Sequence, residues 1–456
     1  MRHSIIDQEP YGRFHRKLFV LSSGGPFLDG FILSVIGVAI AGATRDLSLG
    51  AVAEGLVAAS ALVGVLLGGL VFGWVTDRVG RQLMYSIDLV VLVIGSALSL
   101  LISDGWQLIA LRLVVGVAVG ADYPIATSML AEWLPAAGRG RTMGALVTAW
   151  FVGAAAAYAV GYAFMTALGD GAWRWVLASA AVPGVVILLA RIGTPESPRW
   201  LLRHGRRTEA AEAINKAFGR YPTDDELAHL AESEPERRSR LTEVFRGGYL
   251  RRTLFAGGFW MCQVIPSFAI VTFYPVILGS YGFASGSTAL LWSGAISLVT
   301  ILGCLPCMRL VESVGRRPVI IWTFVAAAVP LAALGFFPAM AAALAIAAFS
   351  VNALAQGGGA ILQWIYPTEL FPTDIRASAV GVAAAISRVG AAAGTYLLPI
   401  GISAFGIGPT MLIGAGVAVV GTAICVAWAP ETRGRALHEA AATGGVPTLR
   451  TGEEAA

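Results

Sequence analysis

Residues 111–141, LRLVVGVAVGADYPIATSMLAEWLPAAGRGR, decide the fold. Apolar and small residues dominate, yet Arg112, Asp122 and Glu132 fall at ten-residue steps, about 15 Å each along an α-helix. One helix of bilayer length therefore carries a charge near each end and one in the middle. A charge in hydrocarbon costs several kcal/mol or more unless it faces a cavity or a partner, so Asp122 reads as functional and the rest of the chain must supply its cavity.

The whole chain has the composition this helix requires. It has 456 residues, 56% of them hydrophobic and 13% charged, with a mean hydropathy of +0.72, which excludes an ordinary soluble multidomain protein. Apolar runs predict twelve spans at 18–43, 51–75, 83–103, 106–130, 143–167, 172–192, 253–279, 288–311, 318–338, 341–366, 377–401 and 407–429. The first residues are polar up to Lys17 with no small-residue cleavage site before the apolar run, so no cleavable signal peptide is expected. Arginines cluster at alternate connections (Arg78 and Arg81, Arg139 and Arg141, Arg309, Arg316 and Arg317, Arg376), while the other connections carry only Arg45 and Arg174. The positive-inside rule then places both termini in the cytosol and the chain in the plasma (inner) membrane.

The spans divide six and six around one long connection. The expected organisation is a cytosolic segment 1–17, a bundle 18–192, a cytosolic helical linker 193–252, a second bundle 253–429 and a cytosolic tail 430–456. Within the linker, Thr223 to Glu226 has capping-box spacing and RRTEAAEAINKAF reads as a short amphipathic helix. The linker reads as a solvated surface, or as a clamp holding the halves from below.

The halves also repeat. Asp77, Gly80 and Arg81 in GWVTDRVGR, which opens at Gly73, correspond to Glu312, Gly315 and Arg316 in MRLVESVGRR, 235 residues later. Glu132, Pro135, Arg139 and Gly144 return 237 residues later as Glu369, Pro372, Arg376 and Gly381, and Pro195 and Glu196 return 235 later as Pro430 and Glu431. Such a repeat implies two homologous halves. Its acids and arginines (Asp77, Arg81, Glu132, Arg139, Glu196, Glu312, Arg316, Glu369, Arg376 and Glu431) form a candidate gate, bridging the bundles when the cytosolic side is shut and parting when it opens.

GWVTDRVGR, PESPRWL (195–201), GRRP (315–318), PTELFPTDIRAS (367–378) and PETRG (430–434) together resemble the sugar porter-like branch of the major facilitator superfamily, over nearly the whole chain. The resemblance implies an all-α membrane fold of two pseudo-symmetric six-helix bundles around a central, alternately open site. It also implies that Asp29 in span one and Arg112, at the start of the RLxxGxxxG pattern in span four, form a proton-coupling pair. A poorly hydrated carboxylate holds its proton more tightly and a nearby arginine loosens it again.

For the substrate, the residues point away from sugars. Sugar porters resemble one another through paired glutamines and an asparagine in span seven, where this chain has Cys262, Gln263 and Phe268, and span ten has Ala360 and Ile361 in place of Gly-Pro. GADYPIATS resembles phosphate:proton symporters at Asp122 and Tyr123, but those carry a further acid in span seven that is missing from this chain. Arg388 sits in span eleven without a carboxylate in that span, and its guanidinium offers a bidentate fork for an anion.

The expected function is therefore proton-coupled symport of a small organic anion, a carboxylate metabolite. Asp29, Arg112 and Asp122 would serve coupling, and Asp122, Tyr123, Gln263, Gln363, Trp364 and Arg388 the substrate. Phosphate or sugar symport, proton-driven efflux and a non-transporting nutrient sensor are the alternatives. The five histidines all lie outside the spans, and no metal-ligand cluster or nucleophile with a partner histidine is evident. No enzyme activity, cofactor, metal or nucleic-acid partner is expected, and the chain is expected to act as a monomer in the lipid bilayer. Cys304 and Cys307 read as packing residues.

Overall fold

The computed structural model describes residues 6, 9–134, 139–232, 244–245, 249–282, 287–371 and 373–433. Among them all regular structure is helical. Twelve helical stretches are long and apolar enough to cross a membrane, and they coincide with the twelve expected spans to within a few residues at most ends.

In chain order the first half is α1 (Arg13–Asp46), α2 (Ala51–Val79), α3 (Arg81–Leu98), α4 (Gly105–Trp133), α5 (Arg139–Leu168), α6 (Trp173–Ala178) and α7 (Ala181–Arg191). The linker contributes α8 (Pro198–Arg203), α9 (Arg207–Phe218) and α10 (Asp224–Glu232). The second half is α11 (Tyr249–Ser280), α12 (Ser287–Ser313), α13 (Arg316–Phe336), α14 (Ala342–Leu370), α15 (Thr373–Phe405) and α16 (Ile407–Trp428). α1 packs on α5 and α2 on α4 in the first bundle, as α11 packs on α15 and α12 on α14 in the second.

Small residues set these contacts, as expected where lipid removes the hydrophobic drive between helices. Gly64 and Gly68 of α2 press on the backbone of Leu113 and Val117, while Gly116 and Gly120 of α4 press on Ala61 and Val65. A Cβ at any of the four would run into opposing backbone. The glycines of RLxxGxxxG therefore interlock with a G-xxx-G on α2.

Proline shapes two sites that matter below. Pro26 lacks the N–H that would bond the Ser22 carbonyl, and the Tyr85 hydroxyl donates to that carbonyl at 3.4 Å instead. Pro275 likewise frees the Val271 carbonyl, α11 kinks at Phe273 (φ −108°, ψ 16°), and Tyr158 of α5 donates its hydroxyl to Val271 across the two bundles. The sixth span, expected to be continuous, breaks at Ser179–Ala180 just before Pro183, where Val182 donates only to Ser179 at 3.1 Å. Helix α1 begins five residues before the expected 18. It continues because Phe14 packs on Trp133 and Phe218, and His15 Nε2 donates to the Trp133 carbonyl at 3.1 Å. His15 Nδ1 accepts from the Gly12 N–H at 3.1 Å, so the two bonds together require the neutral Nε2–H tautomer.

The described linker helices pack on the first bundle. Trp200, Leu201, Ala210, Ile214, Leu227 and Leu230 share one apolar cluster with Leu130, Trp133 and Leu146 of the first bundle. The capping box at Thr223 and Glu226 forms as expected, with bonds of 2.8 and 3.2 Å.

The bundles approach each other closely on the side away from the linker. Gly55 abuts the Tyr396 carbonyl, Gly37 abuts that of Thr272, and Gly294 packs on Tyr158.

Candidate functional site

Midway along the helices, a cavity of about 80 Å³ lies between the bundles, walled by α5, α11, α14 and α15. Its aromatic walls are Trp150, Phe268 and Trp364, and its polar groups include Gln356, Gln363 and Arg388. Trp150 and Phe268 meet edge to face at 5.8 Å, one from each bundle, and the Arg388 guanidinium lies 5.7 Å from the centre of the Phe268 ring. A mostly apolar chamber with one fixed cation and two amides is suited to a small anion with an apolar body.

Next to this cavity the first bundle holds a charged core. Asp29 on α1, Asp88 on α3 and Asp122 on α4 are all at most 3% exposed. Arg191 at the end of α7 reaches in, its Nη1 3.8 Å from Asp122 Oδ1. Arg191 is anchored by Nε and Nη2, which donate to the Leu21 carbonyl at 3.1 and 3.0 Å, and its guanidinium lies over the Tyr85 ring. The Asp122 carboxylate fills the space that a side chain at Gly25 would occupy. Asp29 is connected to the cavity through Gly30, whose Cα faces the Trp150 backbone with no room for a Cβ. The charges acting on Asp29 are Asp122, Arg191 and Arg388. Arg388 thus belongs to the cavity wall and to the electrostatic surroundings of Asp29 in the opposite bundle.

On the linker side each bundle ends in the same knot of charge. Arg81 pairs with Glu132, Ser197 donates its hydroxyl to Glu132, and Glu196 accepts the Gln82 N–H at 2.9 Å. In the second bundle Arg316 forks onto Glu369 at 2.8 and 3.2 Å, Thr432 donates to Glu369 at 2.5 Å, and Glu431 accepts the N–H groups of Arg316 and Arg317 at 3.0 and 3.1 Å. Glu196 and Glu431 therefore sit on the N-termini of α3 and α13, where free N–H groups favour an anion. The preceding glycines, Gly80 (φ +111°) and Gly315 (φ +117°), adopt a backbone that side chains disfavour and let each carboxylate approach. Burial acts to raise the pKa of Glu431. The N–H groups of Arg433, Arg316, Arg317 and Thr432 outweigh it and hold the carboxyl below its ordinary value.

Several expectations change in this light. Arg112 does not pair with Asp29: its Nη1 donates to the Ile32 carbonyl at 2.9 Å, one turn further along α1, and neither Asp29 oxygen has a hydrogen-bond partner among the described residues. Asp122 faces α1 and Arg191 inside its own bundle rather than lining the cavity. Gln263 likewise turns into the second bundle, where its amide fills the space beside Gly359. Gln363, Trp364 and Arg388 do line the cavity. In this conformation the repeated pairs Arg81–Glu132 and Arg316–Glu369 each lie within one bundle. Glu312 is exposed, and Arg376 donates to the Phe371 carbonyl at 3.2 Å. The side chains of Asp77, Tyr123 and Arg139 lie outside the described set. Asp88 and Arg191 were not anticipated, although an acid inside the third apolar run is as visible as Asp122.

Comparison with known proteins agrees with this architecture. The profile of the family described as "Sugar (and other) transporter" matches residues 18–443. The Escherichia coli (strain K12) protein YaaU, whose name refers to metabolite transport, is 43% identical over 95% of this chain and 96% of its own. The inner membrane metabolite transport protein YgcS of the same organism is 36% identical over 96% and 97%. Among solved structures, the partially occluded inward open xylose transporter XylE from E. coli superposes with a TM-score of 0.80, covering 93% of this chain and all of its own at 19% identity. These relatives are transporters, and the chain belongs to the sugar (and other) transporter family of the major facilitator superfamily, as a multi-pass membrane protein.

Proposed function

We propose that the chain carries a small organic anion, a carboxylate, together with a proton by alternating access, as a monomer in the inner membrane with the linker side cytosolic. The observation that carries this reading is the double membership of Arg388, which walls the cavity and acts on Asp29 across the bundle interface. A carboxylate docking on Arg388 takes over that positive charge. Asp29, buried without a hydrogen bond and left with Arg191 alone as a compensating charge, takes up a proton. Anion and proton then load together, and the neutralised pair crosses when the bundles rock. The close approaches on the side away from the linker leave the linker side as the one through which the cavity empties in this conformation. The pairs Arg81–Glu132 and Arg316–Glu369 brace the helix ends within each bundle, so the proposed gate works by moving intact knots rather than by breaking them.

A sugar is the second reading. Gln356 and Gln363 offer amides suited to hydroxyls beside the Trp364 ring, and an arabinose-proton symporter of Bacillus subtilis (strain 168) is 28% identical over 94% of this chain. Uptake into proteoliposomes of carboxylates, phosphate, sugars and cations, with and without an inward proton gradient, decides between them. Gradient-driven uptake of a carboxylate supports the proposal; gradient-driven uptake confined to sugars replaces it.

A further inference from the structure

Asp122 lies 3.8 Å from Arg191 and Asp29 is acted on by Arg191 and Arg388, whereas no ion pair joins Asp88 to an arginine among the described residues. Its surroundings are Asp122 from α4, Asp29 from α1 and the Leu89 N–H of its own helix, which donates to Oδ1 at 2.6 Å. Arg191 is committed to Asp122, Leu21 and the face of Tyr85. Arg112 on α4 directs its Nη1 to the Ile32 carbonyl. Asp88 is 3% exposed and Asp122 0%. Asp88 Oδ2 and both Asp122 oxygens are buried without a hydrogen-bond partner among the described residues, and two neighbouring carboxylates this dry cannot both stay charged, whereas a carboxylic acid can donate to a carboxylate held by an arginine.

We propose that Asp88 is a second proton-carrying group, whose O–H donates to the Asp122 carboxylate while Arg191 compensates the single remaining charge. Asp29 then exchanges its proton with each anion, and the Asp88–Asp122 pair is a separate store one step deeper in the first bundle. Its use in transport rests on the proton-coupling reading above, but the protonated carboxyl does not.

Infrared difference spectroscopy of the purified full-length chain at neutral pH tests this without a substrate. Wild type is expected to show the C=O band of a neutral carboxylic acid. Asp88→Asn should remove that band, Asp122→Asn should shift it because its acceptor becomes an amide, and Asp29→Asn should leave it in place. If Asp88→Asn does not yield folded protein, Asp88→Glu should move the band. Absence of the band in wild type, or a band indifferent to Asp88→Asn or to Asp88→Glu, overturns the proposal. A band that behaves as expected in a chain lacking proton-driven uptake upholds the site and removes the coupling reading instead.

Discussion

The two bundles are alike at the linker-side rim and unlike in their cores. At the rim, Arg81–Glu132 with Glu196 and Arg316–Glu369 with Glu431 are nearly superposable in kind, down to the positive-φ glycine before each capped helix. In the core the same contact is built from opposite sides. Asp122 on α4 fills the space beside Gly25 on α1, whereas Gln263 on α11, one residue past the place matching Gly25, fills the space beside Gly359 on α14, the place matching Asp122. Each half keeps one polar side chain against one glycine, but the first half places a charge there and the second an amide. The rim is a mechanical part that both bundles need. Under the proposed function the cores would have separate duties, protons in the first bundle and the anion in the second.

Breaking the second core should have the largest effect. Arg388→Ala is expected to lower carboxylate uptake by on the order of 100-fold at normal surface expression, because the buried anion loses its charged partner. Retained uptake would move the anion site elsewhere.

Breaking the rim should cost stability in both halves about equally. Glu132→Gln and Glu369→Gln each strand a largely buried arginine, and each is expected to lower the melting midpoint in detergent by an amount corresponding to about 2–4 kcal/mol. A bridge between bundles would instead leave both midpoints unchanged and alter only the transport cycle.

The exchanged core contact gives a subtler pair. Gly25→Ala drives a methyl into Asp122 and should destabilise by about 1–3 kcal/mol. Gly359→Ala meets only the flexible amide end of Gln263 and should cost less. Equal costs would mean that Asp122 is no more fixed than Gln263.

The smallest effect is a pH dependence. The folded pKa of Glu431 is depressed, so its contribution to stability is complete above the unfolded value of about 4.3 and is lost as pH falls through the folded one. Melting of wild type and Glu431→Gln should therefore differ at neutral pH and converge on acidification. A difference that persists in acid would assign the effect to packing.

Much of this could be read from the chain. Span length and hydropathy give the twelve crossings, and the repeated Glu132 and Glu369 give the two halves, because these depend on local composition and on spacing. Arg388 was legible for the same reason, as a charge deep in an apolar run. The partners of these charges were not. Asp29 feels the charges of Arg191 and Arg388 because three-dimensional packing, with Arg112 caught one turn away on the Ile32 carbonyl, decides which charges lie near it. Which face of a helix points into a cavity is equally hidden where uncharged residues flank the polar one on every side, as in VGADYPIA around Asp122 and WMCQVIP around Gln263.

The central claim is that Asp29 carries the proton that the anion draws in through Arg388. Asp29→Asn in proteoliposomes tests it most directly, by comparing carboxylate counterflow with accumulation driven by a proton gradient. The account predicts that counterflow persists while gradient-driven accumulation is lost. Accumulation at the wild-type level would contradict it.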